Sequence, residues 1–190
     1  MPTRLSTDRQ ASDREHLLDT AESLIYTRGV RAVGMDRLRA ESGIPLKRMY
    51  SMFPTKEDIV VAVLRRRDRR WRADLAASTS RAGDGTARVL AVFDWLADLF
   101  QAPDFRGCVW VNVHGELGST SPAVLEEVRS HKRAFHDQIV ALVDSSDPAV
   151  AEAIYLLAEG AIVTAGIVGG PDAAHAARHA AGRLLRTQTA

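Results

Sequence analysis

Residues 43–58, GIPLKRMYSMFPTKED, decide the fold, because they place a glycine, two prolines and three basic residues between two helical patterns. Gly43 suits the end of one short helix, and Pro45, with its fixed φ and missing N–H, suits the start of the next. Met49 and Phe53 are four residues apart, so a helix would turn both toward a core. The stretch is either a surface that contacts nucleic acid or a turn between two core helices.

Two helical patterns precede this stretch. Residues 12–29 open with a capping box of Ser12 and Glu15 and close at Gly29. Residues 35–42 form a second, short pattern that ends at the glycine turn. Three short helices with a tight turn between the second and third are the layout of a helix-turn-helix module, whose third helix enters the major groove of DNA.

The outward face of the third helix carries the candidate DNA contacts. Lys47, Arg48, Tyr50 and Ser51 point away from the core in a helical projection. Arg48 fits a bidentate pair with guanine O6 and N7. Lys47 and Lys56 suit phosphates, and Lys56 also lies at the electropositive start of the next helix.

The net charge of +1 conceals an asymmetry along the chain. Residues 1–80 carry 16 Lys and Arg against 11 Asp and Glu, whereas residues 81–190 carry 9 against 13. A basic N-terminal part on an acidic remainder is typical of a polyanion-binding module joined to a body with another task. The single cysteine excludes an intrachain disulfide, and neither a signal peptide nor an apolar run of membrane-spanning length is apparent. We therefore expect a soluble, cytoplasmic protein.

Helix signals also dominate the rest of the chain. A long fourth helix is expected from Thr55, which has capping-box spacing with Asp58. Residues 78–86 are the candidate domain boundary. Later helices are expected to start at Ser121-Pro122 and Asp147-Pro148, each a capping residue followed by proline.

One segment, residues 108–117 (CVWVNVHGEL), alternates like a half-buried strand. A lone strand among helices would have no partner for its backbone groups, so we predict a helix here, with an extended segment as the alternative. The sequence thus predicts an all-α fold of about nine helices.

The N-terminal motif resembles the TetR (tetracycline repressor) family of bacterial transcription regulators over roughly residues 10–60. The family typically reads G-hydrophobic-S-x-x-x-L-Y-x-H-F-x-[ST]-K-E, and many positions agree in register. The matching residues are Gly43, Ile44, Met49, Tyr50, Phe53, Thr55, Lys56 and Glu57.

The resemblance extends the set of predicted DNA contacts. Arg48 stands where the family has threonine and Met52 where it has histidine, which implies a shifted operator preference. Leu46 is predicted either to touch a thymine methyl or to join Met49 in the core. The complete predicted set is Leu46, Lys47, Arg48, Tyr50, Ser51, Met52, Thr55 and Lys56.

The resemblance also implies how the domains are arranged along the chain. Residues 1–54, ordered from about residue 10, are expected to be the helix-turn-helix domain, residues 55–80 a connecting helix, and residues 81–190 a helical regulatory and dimerisation domain. The expected function is that of a repressor released from a palindromic DNA operator by a small hydrophobic molecule. A DNA-binding or interaction module that senses no small molecule is the alternative.

The predicted partners are double-stranded DNA, a second copy of the chain through the last two helices, and a small-molecule effector. Within those helices, Ala158, Ala161, Ala165 and Gly166 line up as small residues that permit close helix approach. Ordinary packing within one chain is the alternative interpretation of these residues.

A ligand pocket is predicted from apolar walls with a few polar groups. Glu159 stands out because a carboxylate within an apolar helix needs a partner. Cys108 is expected to be an inert buried thiol, with a redox role as the alternative. The predicted pocket residues are Trp95, Phe100, Trp110, Asn112, His114, Glu116, Tyr155 and Glu159.

No enzymatic motif is evident: the sequence has no glycine-rich phosphate loop, no nucleophile elbow and no metal-spaced His/Cys set. His175 and His179 have a metal-compatible spacing but lack a third ligand. We therefore expect neither a catalytic site nor a cofactor or metal. Residues 65–72, RRRDRRWR, are expected to form a solvated, salt-bridged face.

Overall fold

The computed structural model of the protein describes residues 4–83, 85–144 and 147–186, and every regular element within these ranges is an α-helix. The all-α prediction is therefore confirmed, including about nine helices for the described part of the chain. The helices are α1 (Arg4–Arg28), α2 (Met35–Ser42), α3 (Leu46–Met52), α4 (Lys56–Arg81), α5 (Gly85–Phe100), α6 (Val109–Leu117), α7 (Pro122–Leu142), α8 (Pro148–Val168) and α9 (Asp172–Arg186).

The chain divides into two compact units, each of them discontinuous in sequence. The N-terminal unit comprises Met1–Arg67 and Val109–Val128, and the C-terminal unit comprises Asp68–Cys108 and Arg129–Ala190. The sequence predicted one continuous regulatory segment from residue 81 onward, but α6 and the start of α7 group with the helix-turn-helix. The functional division into a DNA-binding domain and a regulatory domain stays a prediction.

Helices α1 to α3 form the predicted three-helix module. The turn before α3 depends on Gly43, which has φ +69° and donates its N–H to Arg39 O at 2.9 Å, a left-handed helix end that favours glycine. Pro45 is the N-cap of α3. The core of the module contains the predicted side chains Leu38, Ile44, Met49 and Phe53, all buried.

The two predicted caps around this module differ in outcome. Thr55 and Asp58 form a reciprocal capping box: Thr55 N–H donates to Asp58 Oδ2 at 2.9 Å, and Asp58 N–H donates to Thr55 Oγ1 at 3.1 Å. The prediction that α1 starts at Ser12 is wrong, because α1 already begins at Arg4. Order from about residue 10 stays a prediction. A capping box marks a possible start, but no glycine or proline between these positions ends the preceding turns.

Helix α6 confirms the helical interpretation of the alternating segment from Val109 onward. Its Val109, Trp110 and Val113 are buried, while Val111 is exposed. The alternation of valines is thus coincidental, and burial follows the helical repeat instead.

The C-terminal unit is built on α5, α8 and α9, which pack on one another around Phe93, Leu96, Phe135, Ile139 and Ile154.

The two later predicted caps are also present. Ser121 Oγ accepts a hydrogen bond from Val124 N–H at 3.1 Å, at the start of α7. Asp147 Oδ1 accepts one from Ala149 N–H at 2.9 Å, at the start of α8.

The small residues of α8 pack within the chain. Ala158, Ala161 and Ala165 are buried in the core of the C-terminal unit, as the alternative interpretation held. A Cβ at Gly166 would lie 2.8 Å from Cα of Gly107, so this backbone approach requires glycine. The three buried alanines therefore pack within the chain, and dimerisation through the last two helices stays a prediction.

Helix α8 is long and apolar enough, by length and composition, to cross a membrane, with a mean hydropathy of 1.6 over an 18-residue window. Of that window, 39% is buried within the protein. A single helix of this kind is weak evidence for a membrane span, because core helices share the property.

Candidate nucleic-acid interface

The outer face of α3 presents polar and aromatic side chains, while its inner face is packed into the core of the module. Met49 and Phe53 are buried, whereas Lys47, Tyr50 and Ser51 are exposed. Tyr50 is 47% exposed, so its ring and hydroxyl are accessible from solvent. The arrangement can place a lysine and a phenol against a polyanion without disturbing the core.

The other predicted DNA contacts are partly buried or already hydrogen-bonded within the protein. Leu46 and Met52 are half-buried, so each is partly packed against the module and partly accessible. Thr55 is exposed, but its hydroxyl already donates to Asp58 Oδ2 at 2.8 Å. Ser51 Oγ donates to Arg48 O at 2.7 Å and retains acceptor capacity.

Arg48 does not point freely outward. Its Nε pairs with Oδ2 of Asp13 on α1. Its Nε and Nη2 atoms are buried, and neither has a geometrically acceptable hydrogen-bond partner among the described residues. The sequence suggested no such neighbour, because Asp13 lies in a different helix.

The turn between α1 and α2 is held by two side chains from distant positions. Lys56 Nζ donates to the carbonyl of Val30 at 2.8 Å. Glu116 accepts from Val30 N–H at 2.9 Å and from Arg31 N–H at 2.7 Å. One of the three Lys56 donors is thus committed to the protein backbone, and two remain for a phosphate.

Glu116 is one of four predicted pocket residues that the structure places in the N-terminal unit. Its hydrogen bonds to the turn already satisfy this half-buried carboxylate, so a ligand is not needed to explain its position. Trp110 is buried, while Asn112 and His114 are exposed on α6. The pocket prediction therefore does not describe one site within one compact unit.

The arginine run on α4 is ion-paired as predicted, but it is not wholly solvated. Arg66 is buried and pairs with Glu15, Asp19 and Glu22 of α1 at 2.9–3.1 Å. Burial alone would lower the pKa of Arg66, but its hydrogen bonds to Glu22 and Glu15 outweigh it and raise the pKa. Arg67 lies over the Tyr26 ring at 4.4 Å. Arg66 and Arg67 thus tie α4 to α1.

The other four predicted pocket residues lie in the C-terminal unit, and two of them share a polar cluster. Glu159 forms an ion pair with Lys132 of α7, whose Nζ lies 2.6 and 2.8 Å from its two oxygens. Lys132 Nζ also lies 3.6 Å from Cys108 Sγ. Burial and the charge of Glu159 raise the pKa of Tyr155 to about 12, so the phenol keeps its proton. Glu159 has the partner that its position demanded.

An aromatic cluster lies beside this ion pair in the same unit. Trp71 is in edge contact with Trp95 at 4.9 Å, with His131 at 5.2 Å and with Phe135 at 4.8 Å between ring centroids. Phe135 in turn contacts Tyr155 at 5.6 Å. Phe100, the remaining predicted pocket residue, is buried in the core. Sequence reasoning missed Trp71, Lys132 and His131.

The buried His131 pairs with the half-buried Asp68 within the cluster, with Nδ1 and Oδ1 2.8 Å apart. Burial lowers the pKa of His131 despite the opposing effect of Asp68. Burial would raise the pKa of Asp68, but its hydrogen bonds to His131 and Arg72 outweigh it and lower the pKa. A neutral imidazole protonated at Nδ1 and donating to a carboxylate accounts for both shifts.

Two surface grooves of the C-terminal unit are lined by residues outside the predicted pocket set. One, of about 730 Å³, lies between α8 and α9. The other, of about 640 Å³, lies between α7 and α8 beside His136 and Glu152. None of the eight predicted residues lines either groove. Within the described ranges, no group of three or more His, Cys, Asp or Glu side chains is arranged to hold a metal ion.

Comparison with known proteins adds to this geometry. Residues 17–63 match the model of the family described as bacterial regulatory proteins, tetR family. The chain is 31% identical over 120 residues to the HTH-type transcriptional repressor NemR of Escherichia coli K12. That match covers 62% of this chain and 58% of the repressor, so it spans less than two thirds of the curated relative.

Solved structures match over nearly the full length. SCO4454, a TetR-family transcriptional regulator from Streptomyces coelicolor, has a TM-score of 0.85 and 28% identity, and the match covers 95% of this chain and 97% of that one. The reduced form of E. coli NemR has a TM-score of 0.79 and 24% identity, covering 90% and 95% of the respective chains. The second likeness shows a shared fold.

Proposed function

The chain belongs to the TetR family of bacterial regulatory proteins, and we propose on that basis that it is a transcriptional repressor that leaves a palindromic DNA operator when a small hydrophobic molecule binds. Such a protein acts where the chromosome is, in the cytoplasm. The relatives named above are described as regulators, which supports a function without enzymatic activity.

The observation that carries the DNA-binding role is the outer face of α3. Lys47, Tyr50 and Ser51 are exposed on a helix that Met49 and Phe53 fix to the rest of the module. A helix held in this way enters the major groove with its polar face toward bases and phosphates. Lys56, at the start of α4, adds a phosphate contact through its two remaining donors. Leu46, Met52 and Thr55 are proposed as secondary contacts.

Dimerisation is proposed through the outer faces of α8 and α9. Leu156, Val163 and Ile167 share one face of α8 and are 58%, 42% and 82% exposed. An apolar strip of this kind favours burial against a second copy. A two-fold dimer presents two α3 helices and so favours an operator with two related half-sites.

The proposed effector site lies in the C-terminal unit around the Lys132–Glu159 ion pair. Trp71, Trp95 and Tyr155 supply aromatic surface beside this pair, the combination that a small, mostly apolar ligand with one polar group requires. Effector binding releases DNA by favouring a conformation of the dimer with lower operator affinity.

Selection of bound duplexes from a random pool tests the proposal. We expect enrichment of one motif with two-fold symmetry, bound by two chains. A wild-type protein that enriches no motif would overturn the DNA-binding role. A thermal-shift screen with hydrophobic small molecules then separates a ligand-responsive regulator, which gains stability on binding, from a module that senses no small molecule.

A further inference from the structure

We propose that Asp13 is a specificity-determining residue, which holds Arg48 away from the bases and so withholds a guanine preference that α3 would otherwise have. This inference rests on the proposed DNA-binding function. Asp13 lies on α1, is not among the predicted DNA contacts, and acts through Arg48.

The ion pair orients the guanidinium of Arg48 inward. Its Nε pairs with Asp13 Oδ2, and the side chain is only 36% exposed. Nε and Nη2 are both inaccessible to solvent. Of the three guanidinium nitrogens, a duplex that contacts α3 in this arrangement can therefore reach at most Nη1.

The geometry of guanine recognition makes this orientation decisive. A bidentate contact to O6 and N7 needs two N–H groups on one edge of the guanidinium. The two available edges are Nε with Nη2 and Nη1 with Nη2, so each of them includes Nη2. Because Nη2 is buried, Arg48 cannot make either contact while it is paired with Asp13.

The pair is nonetheless weak enough to be replaced. It is partly exposed on both sides, with Asp13 at 28%, and such ion pairs contribute little to stability. Nη2 has no hydrogen-bond partner among the described residues, so the paired state leaves a donor unsatisfied. Removing the charge of Asp13 should therefore release Arg48 and not unfold the module.

The experiment is duplex selection with five proteins: wild type, Asp13→Asn, Arg48→Ala, the Asp13→Asn/Arg48→Ala double variant and Asp36→Asn. Asp36 is the matched control, because it is an exposed carboxylate on α2 that forms a loose ion pair with Arg39 at 3.8 Å. Removing either carboxylate strengthens binding to all duplexes through charge alone, but only Asp13 contacts Arg48.

We expect wild type, Arg48→Ala and Asp36→Asn to enrich the same motif. Asp13→Asn should gain guanine at one position in each half-site, with a preference of about tenfold, the size of one bidentate pair. The double variant should lose this gain.

Three results would overturn the inference: an unchanged base preference in Asp13→Asn, a gain that persists in the double variant, or loss of a guanine when Arg48 alone is replaced. If wild type enriches no motif, the proposed function fails first and the inference falls with it. Should Asp13→Asn fold poorly, NMR of the wild type decides: the Arg48 Nε–H should exchange slowly with solvent in the free protein, and fast exchange contradicts the pairing.

Discussion

Glu116 and Arg31 bind each other in both directions: the Glu116 carboxylate accepts the backbone N–H of Arg31 at 2.7 Å, and Arg31 Nη2 donates to the backbone carbonyl of Glu116 at 2.9 Å. The same carboxylate accepts the N–H of Val30. A residue of α6 thus closes the turn between the first two helices of the DNA-binding module. The relationship links the module to a segment 86 residues further along the chain.

Replacing Glu116 should therefore destabilise the N-terminal unit. Glu116→Ala removes a charged acceptor from two backbone donors, and we expect a loss of about 2 kcal/mol in the free energy of unfolding. Glu41→Ala is the control, because Glu41 forms an exposed helical ion pair with Arg37 at 3.3 Å, and its loss should cost less than about 0.5 kcal/mol. Denaturant unfolding measures both, and equal losses would contradict the role of Glu116.

Two glycines near this turn should respond to alanine with opposite signs. Gly29 has φ +82°, and an added Cβ would lie 2.7 Å from Glu116 Oε1, so Gly29→Ala should cost at least about 1 kcal/mol. Gly115 lies within α6 with no atom within 4 Å of an added Cβ, so Gly115→Ala should stabilise by about 0.5–1 kcal/mol. The comparison uses the same unfolding measurement, and a tolerated Gly29→Ala would show that the turn is not constrained as described.

The fold of the helix-turn-helix module was predictable because the sequence signals that start and end its helices are local. Gly43, Pro45, and the Thr55–Asp58 box each act within a few residues, and the period of Met49 and Phe53 identifies the buried face. The partners of Glu116 were not predictable, since backbone N–H groups have no signature in a sequence. The ion pair of Arg48 joins two helices whose registry only the tertiary structure determines.

The stability of the C-terminal unit should fall on mild acidification because of His131. Its pKa is lowered from the ordinary value of 6.5, so the folded state binds the proton less readily than the unfolded chain. The contribution is fully present above 6.5 and is lost as pH falls toward the folded-state pKa. Asp68, whose pKa is also lowered, adds a further loss below its ordinary value of 3.8.

His136 supplies the control of opposite sign. Its pKa is raised by its hydrogen bond to Asp137 and by the hydrogen bond and charge of Glu152, which together outweigh burial. Its contribution is therefore present below 6.5 and is lost as pH rises through the folded-state pKa. We expect unfolding midpoints between pH 5 and 8 to depend less on pH in His131→Gln than in wild type, and His136→Gln to change the slope the other way. Equal slopes in wild type and His131→Gln would exclude the buried neutral imidazole.

A charge on the exposed face of α8 should prevent dimerisation. Ile167→Glu places a carboxylate where an 82% exposed isoleucine now lies, and burial of that charge against a second copy is costly. Analytical ultracentrifugation should show a monomer. Val111→Glu is the control, since Val111 is an exposed valine of α6 and its variant should remain dimeric. A dimeric Ile167→Glu would place the interface elsewhere.

The affinity of wild type and of the Lys47→Ala/Tyr50→Ala variant for the enriched duplex, measured by fluorescence anisotropy across a salt series, tests the central claim most directly. Both side chains are exposed on α3, so the variant should fold normally, bind every duplex more weakly, and show a slope of log K against log salt that is smaller by about one. Arg88→Ala, which removes an exposed cation from α5, should bind as wild type does. Wild-type affinity and an unchanged slope in the double variant would contradict the assignment of α3 as the DNA-reading helix.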